Sequence, residues 1–241
     1  MVIPLYDTDP LEKSRRAYVN WALIASCIAI YLIQVGGTDN TETIIIRNFA
    51  LYPVALTGEA ITGGWLPPTL SVVSYMFLHG GWLHLFFNML FLFTFGDNIE
   101  DALGHGRYLA FYLLCGIGAG FAHALVSPES NTPLVGASGA IAGVVAAYLM
   151  LRPCAKVTVL AFGAIPLRLG SAWVLGFWIL VQVWHVLVNE KGDTAWWAHI
   201  GGLGVGALLI LVMRPPGVPL FECMRPGDVL VARASPPAGR P

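Results

Sequence analysis

The chain has 241 residues, of which 56% are hydrophobic and only 11% charged, and its mean hydropathy is +0.70. A soluble domain of this length cannot hide that much apolar surface, whereas a bundle of membrane helices has no need to. A formal net charge of -1 argues against nucleic acid as a partner. Cys27, Cys115, Cys154 and Cys223 are scattered without metal-ligand spacing or a disulfide framework, and read as packing residues.

Residues 1–17 are polar and read as a cytoplasmic segment. They precede an apolar run too long for a cleavable signal peptide, so that run is expected to stay as a helix. A hydrocarbon core about 30 Å thick takes about 20 apolar residues. Six stretches meet or approach this: Tyr18–Val35, Val72–Phe95, Tyr108–Val126, Ser138–Leu151, Ser171–Val188 and Trp197–Met213. The runs are too continuous for barrel strands. The expected fold is all-α, a polytopic bundle of six transmembrane helices over residues 18–213. Residues 36–70 form an outer loop that Gly63-Gly64 and Pro67-Pro68 keep from crossing. Residues 214–241 read as a flexible cytoplasmic tail.

Basic residues orient the bundle. Lys13, Arg15, Arg16, Arg107, Arg152, Lys156, Arg168, Arg214, Arg225, Arg233 and Arg240 fall on one side, and only Arg47 and Lys191 on the other. Both termini are therefore expected in the cytoplasm. The compact plan points to a prokaryotic plasma membrane.

Polar side chains inside spans are costly, and each is a functional candidate. Ser138 lies 14 residues, about 21 Å, before Arg152. His199 lies about 22 Å before Arg214, and His84 about 20 Å before Asp97. Asn88 shares a helix face with His84 one turn on. Ser, His, His and Asn thus reach one depth from three helices. Gly139 and Gly143, like Gly202 and Gly206, are spaced to let two of those helices approach closely. Gly116 and Gly120 repeat the spacing with no polar group beside them, so glycines alone prove nothing.

A serine hydroxyl needs a base to become a nucleophile, and His199 is the candidate. The Ser138 N–H at a helix start, Gly136 before it, and the side chains of Asn88 and His84 can supply oxyanion donors. Asp97, Glu100 and Asp101 lie at the far end of their helix and Asp193 in a loop, so a dyad is expected rather than a triad. His105, His123 and His185 read as satisfied or solvated, and Trp82, Trp184, Trp196 and Trp197 as interfacial or lipid-facing bulk.

Five pieces in this order and spacing resemble the rhomboid family: HGGWLHLFFN from His79, GDNIED, GRYLAFYLL, GASGAIAG from Gly136 and AHIGGLGVG from Ala198. The resemblance implies Ser138 as nucleophile, His199 as general base, and His84 and Asn88 as oxyanion donors. It makes His79 a structural histidine, and has Glu100 and Arg107 holding the cytoplasmic helix ends. It further implies cleavage of single-pass membrane proteins in the bilayer, without metal or nucleotide cofactor. The sequence departs from the family where Trp65 is followed by Leu66-Pro67-Pro68 instead of arginine. The rivals are an inactive relative that only binds membrane helices, and a small transporter or channel. Substrate identity and oligomeric state are not readable.

Overall fold

A computed structural model describes residues 2–8, 11, 16–37, 40–56, 65–161, 163–188 and 195–223. Lys13, Arg15, Gly63, Gly64, Lys191, Asp193, Arg225, Arg233 and Arg240 lie outside the described residues.

The apolar runs are helices. They are α1 (Tyr18–Val35), α5 (Trp82–Leu103), α6 (His105–Val126), α7 (Ser138–Leu151), α8 (Ser171–Leu187) and α9 (Trp196–Met213). Among the described residues, three short helices lie between α1 and α5: α2 (Thr41–Phe49), α3 (Pro53–Leu56) and α4 (Pro68–Ser74), the last continuing into a 3₁₀ turn at Tyr75–Phe77. Among the described residues, α1, α6 and α9 are individually long and apolar enough to cross a membrane. Residues 68–77 and α5 pass together as a pair bent by 83°, while α7 and α8 are shorter apolar helices. The protein is an integral membrane protein built as a helical bundle. Its outer surface is what lipid requires, with Leu125, Trp173 and Val212 each about four-fifths exposed.

The expected single span Val72–Phe95 is corrected: the chain breaks over residues 78–81 and turns sharply before α5. Gly80 and Gly81 supply the break. The 3₁₀ turn instead packs into α6, where a Cβ on Gly116 would fall 1.8 Å from Met76 Sδ and one on Gly120 3.3 Å from Tyr75 Cε1. Those two glycines, which carry no polar group, make room for the turn.

At the centre, α7 is wrapped by α5, α6 and α9, and Gly139 through Tyr148 are all buried. Small residues allow it. A Cβ on Gly202 would stand 2.0 Å from Gly139 O, and one on Gly206 2.4 Å from Gly143 Cα, so α7 and α9 meet backbone to backbone.

A three-stranded antiparallel sheet was not anticipated. β1 (Val2–Asp7) pairs with β2 (Lys156–Ala161), which pairs with β3 (Ile165–Gly170), in the order β1-β2-β3. Within the N-terminal segment, residues 2–7 are thus a strand. Asp7 ties the sheet to the bundle, accepting hydrogen bonds from Asn98 on α5 and Tyr148 on α7. Residues 214–223 are also anchored. Phe221 N donates to Met150 O and Glu222 N to Leu151 O, Arg152 pairs with Glu222, and Cys154 is disulfide-bonded to Cys223. The reading of those two cysteines as packing residues is therefore corrected, whereas Cys27 and Cys115 are buried and free as expected. Residues 224–241 lie outside the described residues.

Candidate active site

Ser138 is the first residue of α7. The loop before it is held in place, with Gly136 N donating to Tyr75 O at 2.9 Å and Leu134 bridging to Leu51. Gly136 has φ +117°, a conformation L side chains rarely adopt. A Cβ there would also lie 2.6 and 2.7 Å from Cε1 and Nε2 of His84 and 3.6 Å from Nδ2 of Asn88. Glycine at 136 lets both side chains close on the start of α7.

His199, on the first turn of α9 and 8% exposed, lies with Nε2 2.8 Å from Ser138 Oγ. That is a hydrogen bond of ordinary length. Its other ring nitrogen, Nδ1, is 2.7 Å from Oε1 of Gln182 on α8. Trp178 and Trp196 flank the ring, each with its centroid 6.0 Å away.

His84 and Asn88 sit on the first two turns of α5 and line the same cavity as Ser138 and His199, a space of about 620 Å³. Gly80 N donates to His84 Nδ1 at 3.4 Å, which leaves Nε2 of that ring as the N–H facing Gly136. Asn88 is 6% exposed, and its Nδ2 has no protein partner among the described residues. It is a donor without an acceptor, in a pocket where an oxyanion would find one.

His79 does not reach Ser138. It is fully buried, its ring 5.3 Å edge-on to His84, and Gln34 on α1 bonds both its N–H and its carbonyl. Gly139 and Gly202 set the spacing of α7 against α9 and so the reach of His199. At the other end of α5, Glu100 is fully buried and accepts from Val19 N at 3.0 Å and Asn20 N at 2.7 Å while pairing with His105. Its partners are therefore the start of α1 and His105, and Arg107 is exposed. Asp97 and Asp101 belong to that same end.

Three residues of the site region were assigned otherwise or passed over in the sequence. Gln182 is a single amide within an apolar helix, and its position in a span was the available signal. His123, read as satisfied or solvated, lines the cavity with its Nδ1 lacking a protein partner among the described residues. Trp196, read as interfacial or lipid-facing bulk, stacks on His185 at 4.1 Å and meets His199 edge-on.

Fold and site together define a polytopic helical membrane protein with a hydrogen-bonded serine–histidine pair facing a cavity of the bundle. Comparison with known proteins gives the family. The Rhomboid domain model matches residues 68–216. Rhomboid protease AarA of Providencia stuartii is 31% identical over 206 residues, 78% of this chain and 69% of AarA. Rhomboid protease GluP of Bacillus subtilis is 36% identical over 123 residues, 51% of this chain but only 22% of GluP. Rhomboid protein 1, mitochondrial, of Saccharomyces cerevisiae is 31% identical over 58% of this chain and 40% of that protein. The chain belongs to the rhomboid family.

Proposed function

We propose that this chain is an intramembrane serine endopeptidase that cuts the transmembrane segments of single-pass membrane proteins through a Ser138–His199 dyad. The observation that carries the reading is the 2.8 Å contact between Ser138 Oγ and His199 Nε2 inside a cavity of the bundle. Relatives named as proteases support it.

As Ser138 Oγ attacks the scissile carbonyl carbon, its proton passes to His199 Nε2. Negative charge gathers on the carbonyl oxygen, where the Asn88 amide, the His84 Nε2–H and the Ser138 N–H at the start of α7 are placed to donate. His199 then returns the proton to the leaving amine. Water cleaves the acyl-serine ester by the same route, with His199 again as base. The residues from 18 to 213 act as one protease domain of six spans. The distribution of basic residues puts both termini in the cytoplasm, and the plasma membrane of a prokaryote suits the chain.

The deciding comparison uses wild type and Ser138→Ala in proteoliposomes with a single-pass substrate. Cleavage should fall at least roughly 10³-fold in the variant. A fluorophosphonate probe should label wild type at Ser138 and leave the variant unlabelled. Equal cleavage by both proteins overturns the assignment. An unreactive Ser138 in wild type points instead to a relative that only binds helices.

A further inference from the structure

We infer that Gln182 of α8 is a positioning residue for the base, fixing the ring of His199 in the one tautomer that can accept the Ser138 proton; this rests on the function proposed above. Each link follows from which atoms can donate. The Trp178 carbonyl oxygen carries lone pairs only, and the Gln182 amide contacts it at 3.1 Å, so the amide NH₂ must point there. Oε1 is then the atom facing His199, at 2.7 Å. An amide oxygen only accepts, so His199 Nδ1 bears the proton. The lone pair is left on Nε2, 2.8 Å from Ser138 Oγ, and the serine O–H donates to it. With the opposite tautomer Nε2 would be an N–H, and it could not take the serine proton.

Packing agrees with this role. Gln182 is 3% exposed on a helix whose other faces carry Trp173, Phe177, Leu180 and Trp184, each more than half exposed. An amide among such neighbours is costly unless its hydrogen bonds are made, and both polar atoms of Gln182 are bonded. The ring of His199 also borders Trp178 and Trp196, each with its centroid 6.0 Å away. The third member of the array is therefore an uncharged amide, supplied by a helix other than the one that bears the base. In the soluble serine proteases that position is filled by a carboxylate.

Two readouts on the full chain separate this inference from the protease reading. The first is nitrogen NMR of the His199 ring in lipid nanodiscs, assigned by loss of its signals in His199→Gln. Wild type should show the proton on Nδ1; Gln182→Leu should show a mixture or the proton on Nε2, and Gln182→Glu should restore the wild-type pattern. The second is steady-state cleavage, in which Gln182→Leu should lower kcat by roughly 10- to 100-fold with KM nearly unchanged. Gln182→Glu, which keeps an acceptor at Oε1, should recover most of it. A purely structural glutamine would leave the tautomer of folded Gln182→Leu unchanged and give Glu no advantage over Leu, and that result overturns the inference. If wild type cleaves nothing but the tautomer still follows residue 182, the control of the His199 tautomer by Gln182 stands and the protease reading falls.

Discussion

The two ends of the bundle are both rich in buried polar groups, yet those groups are bonded differently. At the end away from Ser138, Glu100 accepts two backbone N–H groups of α1 and pairs with His105, and Asp7 accepts from Asn98 and Tyr148. Asn20 is similarly engaged, giving its NH₂ to Leu92 O and receiving Tyr108 OH. At the Ser138 end the bonds form a line, Trp178 to Gln182 to His199 to Ser138, and stop at the cavity. Beside that terminus, Asn88 and His123 each hold a buried nitrogen with no protein partner among the described residues. Saturated networks fix helices against each other, whereas a line of bonds ending on a hydroxyl, with free donors nearby, is arranged to receive something. Glu100, Asp7 and Asn20 are thus bonded to their neighbours, whereas Asn88 and His123 keep unbonded nitrogens at the cavity.

The sharpest way to break this contrast is to remove an uncommitted donor. Asn88→Leu deletes a side chain whose NH₂ bonds to no described protein atom, so the folded protein should keep its thermal stability or gain slightly. Turnover should drop roughly 10²–10³-fold if the amide meets an oxyanion. Cleavage kinetics beside thermal unfolding in detergent check both halves. A large loss of stability with normal turnover per folded molecule would move Asn88 into the structural class.

The converse experiment is Glu100→Gln. The amide keeps one acceptor but turns an NH₂ group toward donors that the carboxylate had satisfied, and about 2–3 kcal/mol of stability should be lost. The α1–α5 junction should loosen while kcat per folded molecule stays near wild type, because Glu100 and Ser138 belong to opposite ends of the bundle. Unfolding in mixed micelles with SDS, paired with active-site titration, measures the two quantities separately. A fall in kcat without a fall in stability would erase the division between the ends.

How far the sequence revealed this plan follows from the same contrast. Composition and run length located the helices well, and α1 and α7 begin and end where the apolar runs do. Depth counting from Arg152, Arg214 and Asp97 brought Ser138, His199, His84 and Asn88 to one level, and all four line one cavity. The apolar count concealed the break before α5, since residues 68–77 and α5 together look like one run although Gly80-Gly81 marked the turn. The sheet stayed hidden because KVTVLA and IPLRLG are short apolar segments between helices, and the strand that pairs with KVTVLA on its other side lies some 150 residues earlier. Gln182 was visible as a polar residue in a span, but its meaning depends on which way its amide faces, and only the packing of α8 beside α9 gives that. Likewise, Cys154 and Cys223 are 69 residues apart and meet only because the segment after α9 folds back on α7.

That last pair gives the smallest expected effect and a test of sidedness. Cys154 and Cys223 belong to the end that the basic residues assign to the cytoplasm, where thiols are kept reduced, so the bond and the assigned side pull against each other. The structure also holds the segment without the bond, through Arg152–Glu222 and the backbone bonds of Phe221 and Glu222. Reduction should therefore change cleavage less than about twofold, since the protein contacts and not the covalent link fix the distant site. In intact cells a membrane-permeant maleimide should label both cysteines and an impermeant one neither, with labelling lost after purification in air. Labelling in intact cells by the impermeant reagent would place this end outside and reverse the proposed orientation. Resistance to both reagents, together with the mobility of a cross-linked chain, would show the bond already formed in the cell and would set this protein's inner end apart from an ordinary reducing compartment.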